Sequence, residues 1–234
     1  LDKLYPADLD GYAVSSRDRL NPRSGHPFRT LAERIAEIVG AGEFELYVHR
    51  SRTRGVGVEL AEKPILMMPA WLLEQSDAHQ VYMLARVLTL CARNCHAVLK
   101  LTHREIEVLL AAYARTVVPG FGRGLTSEEL LEEQSRRMHK ALSRKAKKSA
   151  EEAVHRYVAQ DPPEFVKWTE SRERLATRAA ALLTDDLVAS IESMARTRGD
   201  TRDSSVDLRD ESVRDLLRFW VSEAAFRTRM RIRQ

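Results

Sequence analysis

The sequence predicts an α+β fold, mostly helical, with a small antiparallel sheet near its N-terminus. Alternating apolar and polar residues at 44–49 and 55–60 predict two strands. The continuous apolar run Ile65–Met68 predicts a third strand, which should be buried. From Trp71 onward only helical periodicity is found. Strands grouped near the N-terminus and followed by a long series of helices predict an α+β architecture.

The composition is typical of a folded chain without membrane spans. Hydrophobic residues make up 44% and charged residues 31%, with both signs interspersed, which excludes a disordered chain. No run approaches the roughly 18 apolar residues needed to cross a bilayer. The net charge of +4 and the pI of about 9.2 are a weaker basic bias than dedicated nucleic-acid binders usually carry.

The two cysteines, Cys91 and Cys95, lie four residues apart on a predicted helix. Disulfide geometry is poor at that spacing, so we expect two small buried apolar residues with free thiols. Free thiols fit a reducing compartment, and the expected location is the cytoplasm.

The first 69 residues should form an arm, a helix and the sheet. Residues 1–26 contain prolines and glycines without periodicity, and are interpreted as a linker or an extended arm. Residues 27–39 place their apolar side chains on one stripe and predict a helix that ends at Gly40. The polar turn at 51–54 predicts that the first two strands form a hairpin.

The rest of the chain predicts a series of helices whose starts are marked by capping residues. They are a long helix from Ser76 or Asp77 to about Leu99, a helix from Thr102 (with Glu105) to about Thr116, a helix from Thr126 (with Glu129) to about Ala146, and further helices over 150–159, from 161 onward, around 187–194 and over 211–232. We expect one domain over 27–234, composed of a helix and sheet (27–69), a helical core (70–196), a mobile polar loop (197–209) and a C-terminal helix (210–234).

The stretch 64–96 has the element order of a zinc peptidase. A strand at 65–68 is followed by Leu72-Leu73-Glu74, by Ser76-Asp77 and by the helical stretch Val81–Leu90. This order resembles the gluzincin metallopeptidases of the HtpX-like kind, and the resemblance implies a zincin-like helix arrangement. It also resembles domains at the ends of helical-repeat proteins in soil bacteria such as myxobacteria, which implies a C-terminal domain of a larger bacterial protein.

The resemblance also implies that the zinc site has been lost. It places Arg86 and Leu90 at the two histidines of the H-E-x-x-H motif, and Val87 at its general-base glutamate. Glu173 matches the family's E-x-x-A-D motif, whereas Thr177 replaces the aspartate. A catalytic zinc needs three protein ligands, and arginine cannot ligate a cation. We therefore expect a pseudopeptidase with no catalytic residue, metal or cofactor.

A mostly basic stripe follows the same predicted helix at spacings of three and four residues. Its members are Arg86, Thr89, Arg93, His96 and Lys100. Three interpretations are open. The stripe is the solvated edge of a core helix, or Arg86 pairs with Glu173 in the space of the lost metal, or the stripe binds a small acidic ligand.

The densest basic run lies further along the chain. It comprises Arg136, Arg137, Lys140, Arg144, Lys145, Lys147 and Lys148. The favoured interpretation is a solvated helix C-terminus, where cations suit the helix macrodipole. A contact with nucleic acid or with an acidic protein surface is the alternative, although no interleaved aromatic residue offers a platform for base stacking.

Three functions follow from these patterns. The first is a protein–protein interaction or scaffolding module, whose partner can be another domain of the parent chain. Its docking surface would be formed by whichever apolar side chains of the C-terminal helix stay exposed, among Phe219, Trp220, Phe226, Met230 and Ile232. The second is an enzyme with an unfamiliar site, since composition does not exclude Ser/His/Asp catalysis although no G-x-S-x-G elbow is present. The third is a basic nucleic-acid-binding module centred on residues 136–148.

Overall fold

The structure, a computed structural model, describes residues 4–161, 163–197 and 207–232. It confirms the α+β class, since a small sheet precedes a long series of helices. The chain divides into two compact units. The sheet unit comprises residues 7–100 and 171–234, and the helical unit comprises residues 1–6 and 101–170. The predicted single domain over 27–234 spans parts of both.

The described residues form three strands and nine α-helices. Their bounds are α1 Pro27–Val39, β1 Glu45–His49, β2 Gly57–Glu59, β3 Ile65–Pro69, α2 Asp77–Ala92, α3 His103–Arg115, α4 Glu128–Ala141, α5 Arg144–Val158, α6 Phe165–Thr184, α7 Leu187–Thr197, α8 Glu211–Trp220 and α9 Glu223–Ile232. No helix among them is long and apolar enough to cross a membrane.

The sheet has the order β1-β3-β2, so the predicted hairpin is wrong. β1 runs parallel to β3, with Leu46 opposite Leu66, and β2 runs antiparallel to β3, with Val58 opposite Leu66. The sheet is therefore mixed rather than antiparallel. All five residues of β3 are buried, and a strand that is buried on both faces takes the centre of a sheet, which leaves the two edges to β1 and β2.

Each face of the sheet is covered by a different part of the chain. Leu46, Leu66 and Met68 belong to the main core, which also contains side chains of α1, α2, α6, α7 and α8. On the opposite face, Tyr12 and Val14 pack against Tyr47, Ile65 and Met67. The predicted linker or arm, residues 1–26, instead contains three short 3₁₀ turns, and its residues 7–14 pack on this face of the sheet. A central strand with apolar side chains on both faces requires this second cover.

Two helices have the predicted bounds. α1 covers the predicted residues 27–39. α3 begins with the predicted capping box, in which the Thr102 side chain accepts from Glu105 N–H and the Glu105 side chain accepts from Thr102 N–H.

Three predicted helices differ from the structure because a serine or a turn interrupts them. α2 ends at Ala92, and Asn94 takes a positive φ of 53° before a 3₁₀ turn at His96–Leu99. α4 is capped by Ser127 instead of Thr126, and it ends before Ser143, whose hydroxyl accepts from Ala146 N–H at 3.1 Å and starts α5. The predicted C-terminal helix is two helices, since the Ser222 hydroxyl accepts from Ala225 N–H at 3.2 Å and starts α9. Most of the predicted mobile loop, residues 198–206, lies outside the described residues.

Candidate functional site

The three positions aligned with the zinc motif lie on α2. Val87 and Leu90 are fully buried, and Arg86 is half-buried. Glu173, on α6, is exposed. Within the described part of the chain, no ion pair joins Arg86 to Glu173. The interpretation that this pair fills the place of a metal is therefore wrong.

The basic stripe does not continue along one helix, because α2 ends at Ala92. Arg93 is the residue that caps the end of α2, and His96 and Lys100 belong to the following 3₁₀ turn and its end. The Lys100 ammonium contacts the Glu59 carboxylate, whose side chain is only 3% exposed. Asp8 N–H donates to the same Glu59 oxygen, Oε2, at 2.9 Å. Sequence reasoning missed this pair, since 41 residues separate its members and no local pattern connects them.

Two histidines of the sheet unit, His49, which is buried, and His96, which is half-buried, each have a ring nitrogen without a partner among the described residues. His49 Nε2 lies 3.0 Å from the carbonyl oxygen of Gly55, and its ring meets the Tyr12 ring edge-on at 5.0 Å. Burial lowers the pKa of His49 and of His96. Nδ1 of each ring is buried with no hydrogen-bond partner in the described structure. The lowered pKa of each imidazole favours its neutral form.

A serine, a histidine and a glutamate form a hydrogen-bonded chain where α2 begins. The Ser76 hydroxyl lies 2.8 Å from Nδ1 of His79, and Nε2 of His79 lies 3.1 Å from Oε2 of Glu192 on α7. With the proton on Nε2, His79 donates to Glu192 and accepts from Ser76. This is the order of a Ser–His–acid triad with the two ring nitrogens exchanged.

The backbone at the start of α2 offers further hydrogen-bond donors beside the Ser76–His79–Glu192 series. Ser76 stands at the N-cap of α2, but its hydroxyl accepts from no backbone N–H. The first N–H groups of a helix lack partners within the helix, so those of α2 face outward. The sequence carries the local half of the signal, Ser76-x-x-His79, whereas Glu192 is 113 residues beyond His79 and could only be found in the fold.

A cleft of about 640 Å³ lies between α1 and the start of β1. Arg29 is buried beside it, donates from Nε to Glu33 at 2.9 Å, and stacks its guanidinium 4.3 Å from the centre of the Phe44 ring. Arg19 pairs with Glu45 at 2.9 Å, and Lys63 pairs with Glu43. Since these charged side chains of the cleft already pair with one another, they are explained as structural contacts of α1 and the sheet.

The basic run lies in the helical unit and is divided between two helices. Arg136, Arg137 and Lys140 are on α4, whereas Arg144, Lys145, Lys147 and Lys148 are the basic residues at the start of α5. All except Lys147 are exposed. The interpretation of a single helix C-terminus is therefore wrong for the last four, which lie at a helix N-terminus.

The C-terminal apolar residues differ in burial. Phe219 and Trp220 on α8 are partly buried and pack against the main core, and Arg229 stacks 4.0 Å from the centre of the Trp220 ring. Phe226, Met230 and Ile232 on α9 are exposed, and Ala225 is the buried residue of that helix. α9 thus presents an unpacked apolar face.

No three side chains among His, Cys, Asp and Glu converge as a metal site requires, within residues 4–161, 163–197 and 207–232. Comparisons of this chain with protein-family models, with curated proteins and with solved structures found no match.

Proposed function

We propose that this chain is a non-catalytic protein–protein interaction module, a cytoplasmic pseudopeptidase-like domain that scaffolds a larger protein by docking α9 on a partner. The observation that carries the proposal is the state of α9. Phe226 is 57% exposed and Met230 is 45% exposed, one helical turn apart on the same face. The positions of the lost zinc motif support a non-catalytic role, since Val87 and Leu90 serve the packing of the core.

A helix as short as α9 needs tertiary packing to persist in water. Isolated helices below about 12–15 residues are marginal, and α9 has ten residues, of which Ala225 is buried. A partner groove that covers Phe226 and Met230 would supply the missing contacts, as in other amphipathic helices that bind in grooves.

The charge of α9 defines the chemistry of that partner. The helix contains one acidic residue, Glu223, and three basic residues, Arg227, Arg229 and Arg231, so it is net positive. Two copies of α9 would repel each other, so a second copy of this chain is disfavoured. The expected partner is a protein with an apolar groove and an acidic rim.

Site-specific photo-cross-linking in cells that express the chain tests this proposal. A photoreactive phenylalanine analogue is placed at Phe226 and, as a matched control, at Ile38, which is 65% exposed on α1. We expect one discrete adduct from position 226 that Met230→Glu removes, and no such adduct from position 38. Equal adducts from both positions, no adduct from position 226, or an adduct with twice the mass of this chain would reject the proposal.

A second candidate function, a serine hydrolase, is supported by the Ser76–His79–Glu192 chain. His79 Nδ1 would take the proton of the Ser76 hydroxyl as the oxygen attacks an ester, and Glu192 would hold the required tautomer. The outward N–H groups of the first turn of α2 would stabilise the oxyanion, against the opposing charge of Asp77 in the same turn.

A fluorophosphonate probe distinguishes a serine hydrolase from a purely structural hydrogen-bonded series at Ser76. The matched control is Ser127, also at an N-cap, whose hydroxyl accepts from Leu130 N–H at 3.3 Å. A hydrolase predicts that the probe labels Ser76 and not Ser127, and that His79→Gln and Glu192→Gln each lower the labelling at least tenfold. Labelling of neither serine, or of both alike, excludes this function.

A further inference from the structure

We propose that the helical unit binds the phosphate backbone of a nucleic-acid duplex through the basic surface of α4 and α5, without reading the base sequence. The basic surface is the set Arg136, Arg137, Lys140, Arg144, Lys145, Lys147 and Lys148. This inference is independent of the docking function proposed for α9, which lies in the sheet unit.

The positive charge of this chain is concentrated on the basic surface. Residues 134–150 contain seven lysines and arginines and no aspartate or glutamate. Because seven charges exceed the net charge of +4 of the whole chain, all the other residues together are net negative. A mild overall basicity therefore conceals a strongly basic segment of the sequence, which lies between Glu133 and Glu151.

These cations also lack carboxylate partners within the described part of the chain. In the described residues, none of the seven takes part in an ion pair. Arg137 makes one hydrogen bond, from Nη2 to the carbonyl oxygen of Leu4 at 3.2 Å, which leaves its charge uncompensated. Several other exposed arginines are paired, for example Arg218 with Glu211 and Arg227 with Glu223.

The start of α5 carries charge of the unfavourable sign. Arg144, Lys145, Lys147 and Lys148 fall within its first five residues, and no acidic residue lies in its first turn. Cations at a helix N-terminus oppose the macrodipole. α4 has the usual arrangement, with Glu128 and Glu129 in its first turn and His139 and Lys140 in its last. Helix stability therefore does not explain the charges of α5, whereas an anionic partner does.

The chemistry of the surface favours phosphates over an acidic protein. Protein interfaces are built around buried aromatic and apolar anchors, but Met138, the large apolar residue between the α4 cations, is buried. The exposed residues of 134–150 are cations, His139 and two serines, without a large apolar side chain, which suits contacts to a phosphate backbone. The run has no aromatic residue for stacking unpaired bases, so the geometry points to duplexes rather than single strands.

Fluorescence anisotropy of the full chain with labelled 20-base-pair duplexes tests this inference. Two unrelated DNA sequences and one RNA duplex are titrated between 50 and 200 mM salt. We expect micromolar binding that does not distinguish the two DNA sequences. The logarithm of the association constant should fall linearly with the logarithm of the salt concentration. The slope should reach up to about −6 if all seven cations contact phosphates. Binding of both duplex types identifies the shared phosphate backbone, and binding of DNA alone assigns the duplex to DNA.

Two variants with the same net charge separate this surface from a general charge effect. Arg144→Gln/Lys145→Gln/Lys148→Gln should reduce the magnitude of the slope by about 3 and weaken binding at least tenfold, without lowering the unfolding temperature. Arg23→Gln/Arg34→Gln/Arg52→Gln removes three exposed arginines of the sheet unit and should keep the slope. No binding at 50 mM salt, binding that ignores salt, equal losses in the two variants, or binding of poly-glutamate in preference to DNA would overturn the inference.

Discussion

Replacement of Lys100 by methionine tests the buried ion pair that ties the end of the 96–99 turn to the sheet. The variant keeps most of the side-chain volume and removes the ammonium that contacts Glu59. Glu59 then retains the Asp8 N–H, at 2.9 Å, as the only recorded donor to its carboxylate within the described structure. The Glu59 side chain is 3% exposed, so water replaces the ammonium poorly.

The expected loss follows from this burial. Removing one partner of a buried ion pair costs about 3–5 kcal/mol, because the other charge stays buried and uncompensated. Lys100 is itself 20% exposed and the Asp8 bond remains, so we expect a loss near the lower end, about 3 kcal/mol. The double variant Glu59→Gln/Lys100→Met removes both charges and keeps an acceptor for Asp8 N–H, so it should recover most of the loss.

Urea unfolding, followed by tryptophan fluorescence and circular dichroism, measures these free energies. Lys167→Met is the control, since Lys167 and Glu164 form an exposed pair at the start of α6, which is worth less than about 1 kcal/mol. The reasoning is refuted if Lys100→Met loses no more than Lys167→Met, or if the double variant is as unstable as the single one.

Three further predictions concern the sheet unit. Burial lowers the pKa of both His49 and His96. As pH falls, the unfolded chain therefore takes up protons at these histidines before the folded chain does. The free energy of unfolding should be at its full value above about pH 6.5 and decline toward pH 5. His49→Gln/His96→Gln should flatten that decline in urea unfolding measured across this range, and an unchanged decline would contradict the assignment. Burial raises the pKa of Cys91 to about 12. A thiol reagent at pH 8 should therefore modify at most Cys95 in the native chain, and both cysteines in urea. If Cys91 in the native Cys95→Ser variant reacts as fast as in the unfolded chain, the prediction is wrong. Finally, a Cβ at Gly57 would collide with the Tyr12 hydroxyl, so Gly57→Ala should destabilise the sheet by about 1–3 kcal/mol, and Tyr12→Phe should reduce that loss in the double variant; additive losses would show that the collision is not the cause.

Local patterns predicted those elements whose causes are local. The apolar stripe of α1 and the reciprocal Thr102–Glu105 cap lie within one or two helical turns, so the sequence contains all the information they need. The interruptions before α5 and α9 were local too, since Ser143 and Ser222 cap the helices that follow. In each case a serine within a run of helical periodicity marks the start of a new helix. Because the periodicity continues on both sides of the serine, the sequence pattern predicted one continuous helix.

The sheet order and the candidate sites depend on contacts far apart in the sequence. The alternation of apolar and polar residues identified β1 and β2 as strands but did not show which strand each pairs with. The burial of β3 on both faces places it between them. Glu59 and Lys100, or His79 and Glu192, share no motif and meet only after the helices pack. The composition of the basic run was visible in the sequence, whereas its position at the start of α5 required the helix boundary.

The central position of β3 has a consequence for the order of assembly. β1 and β2 precede β3 along the chain, and each bonds to β3. A nascent chain that has emerged only to residue 63 therefore holds two strands that lack their common neighbour. The ladder can form only once residues 65–69 leave the ribosome, and both strand pairings then become available together. Synthesis through Pro69 is thus a threshold for cotranslational folding of this sheet.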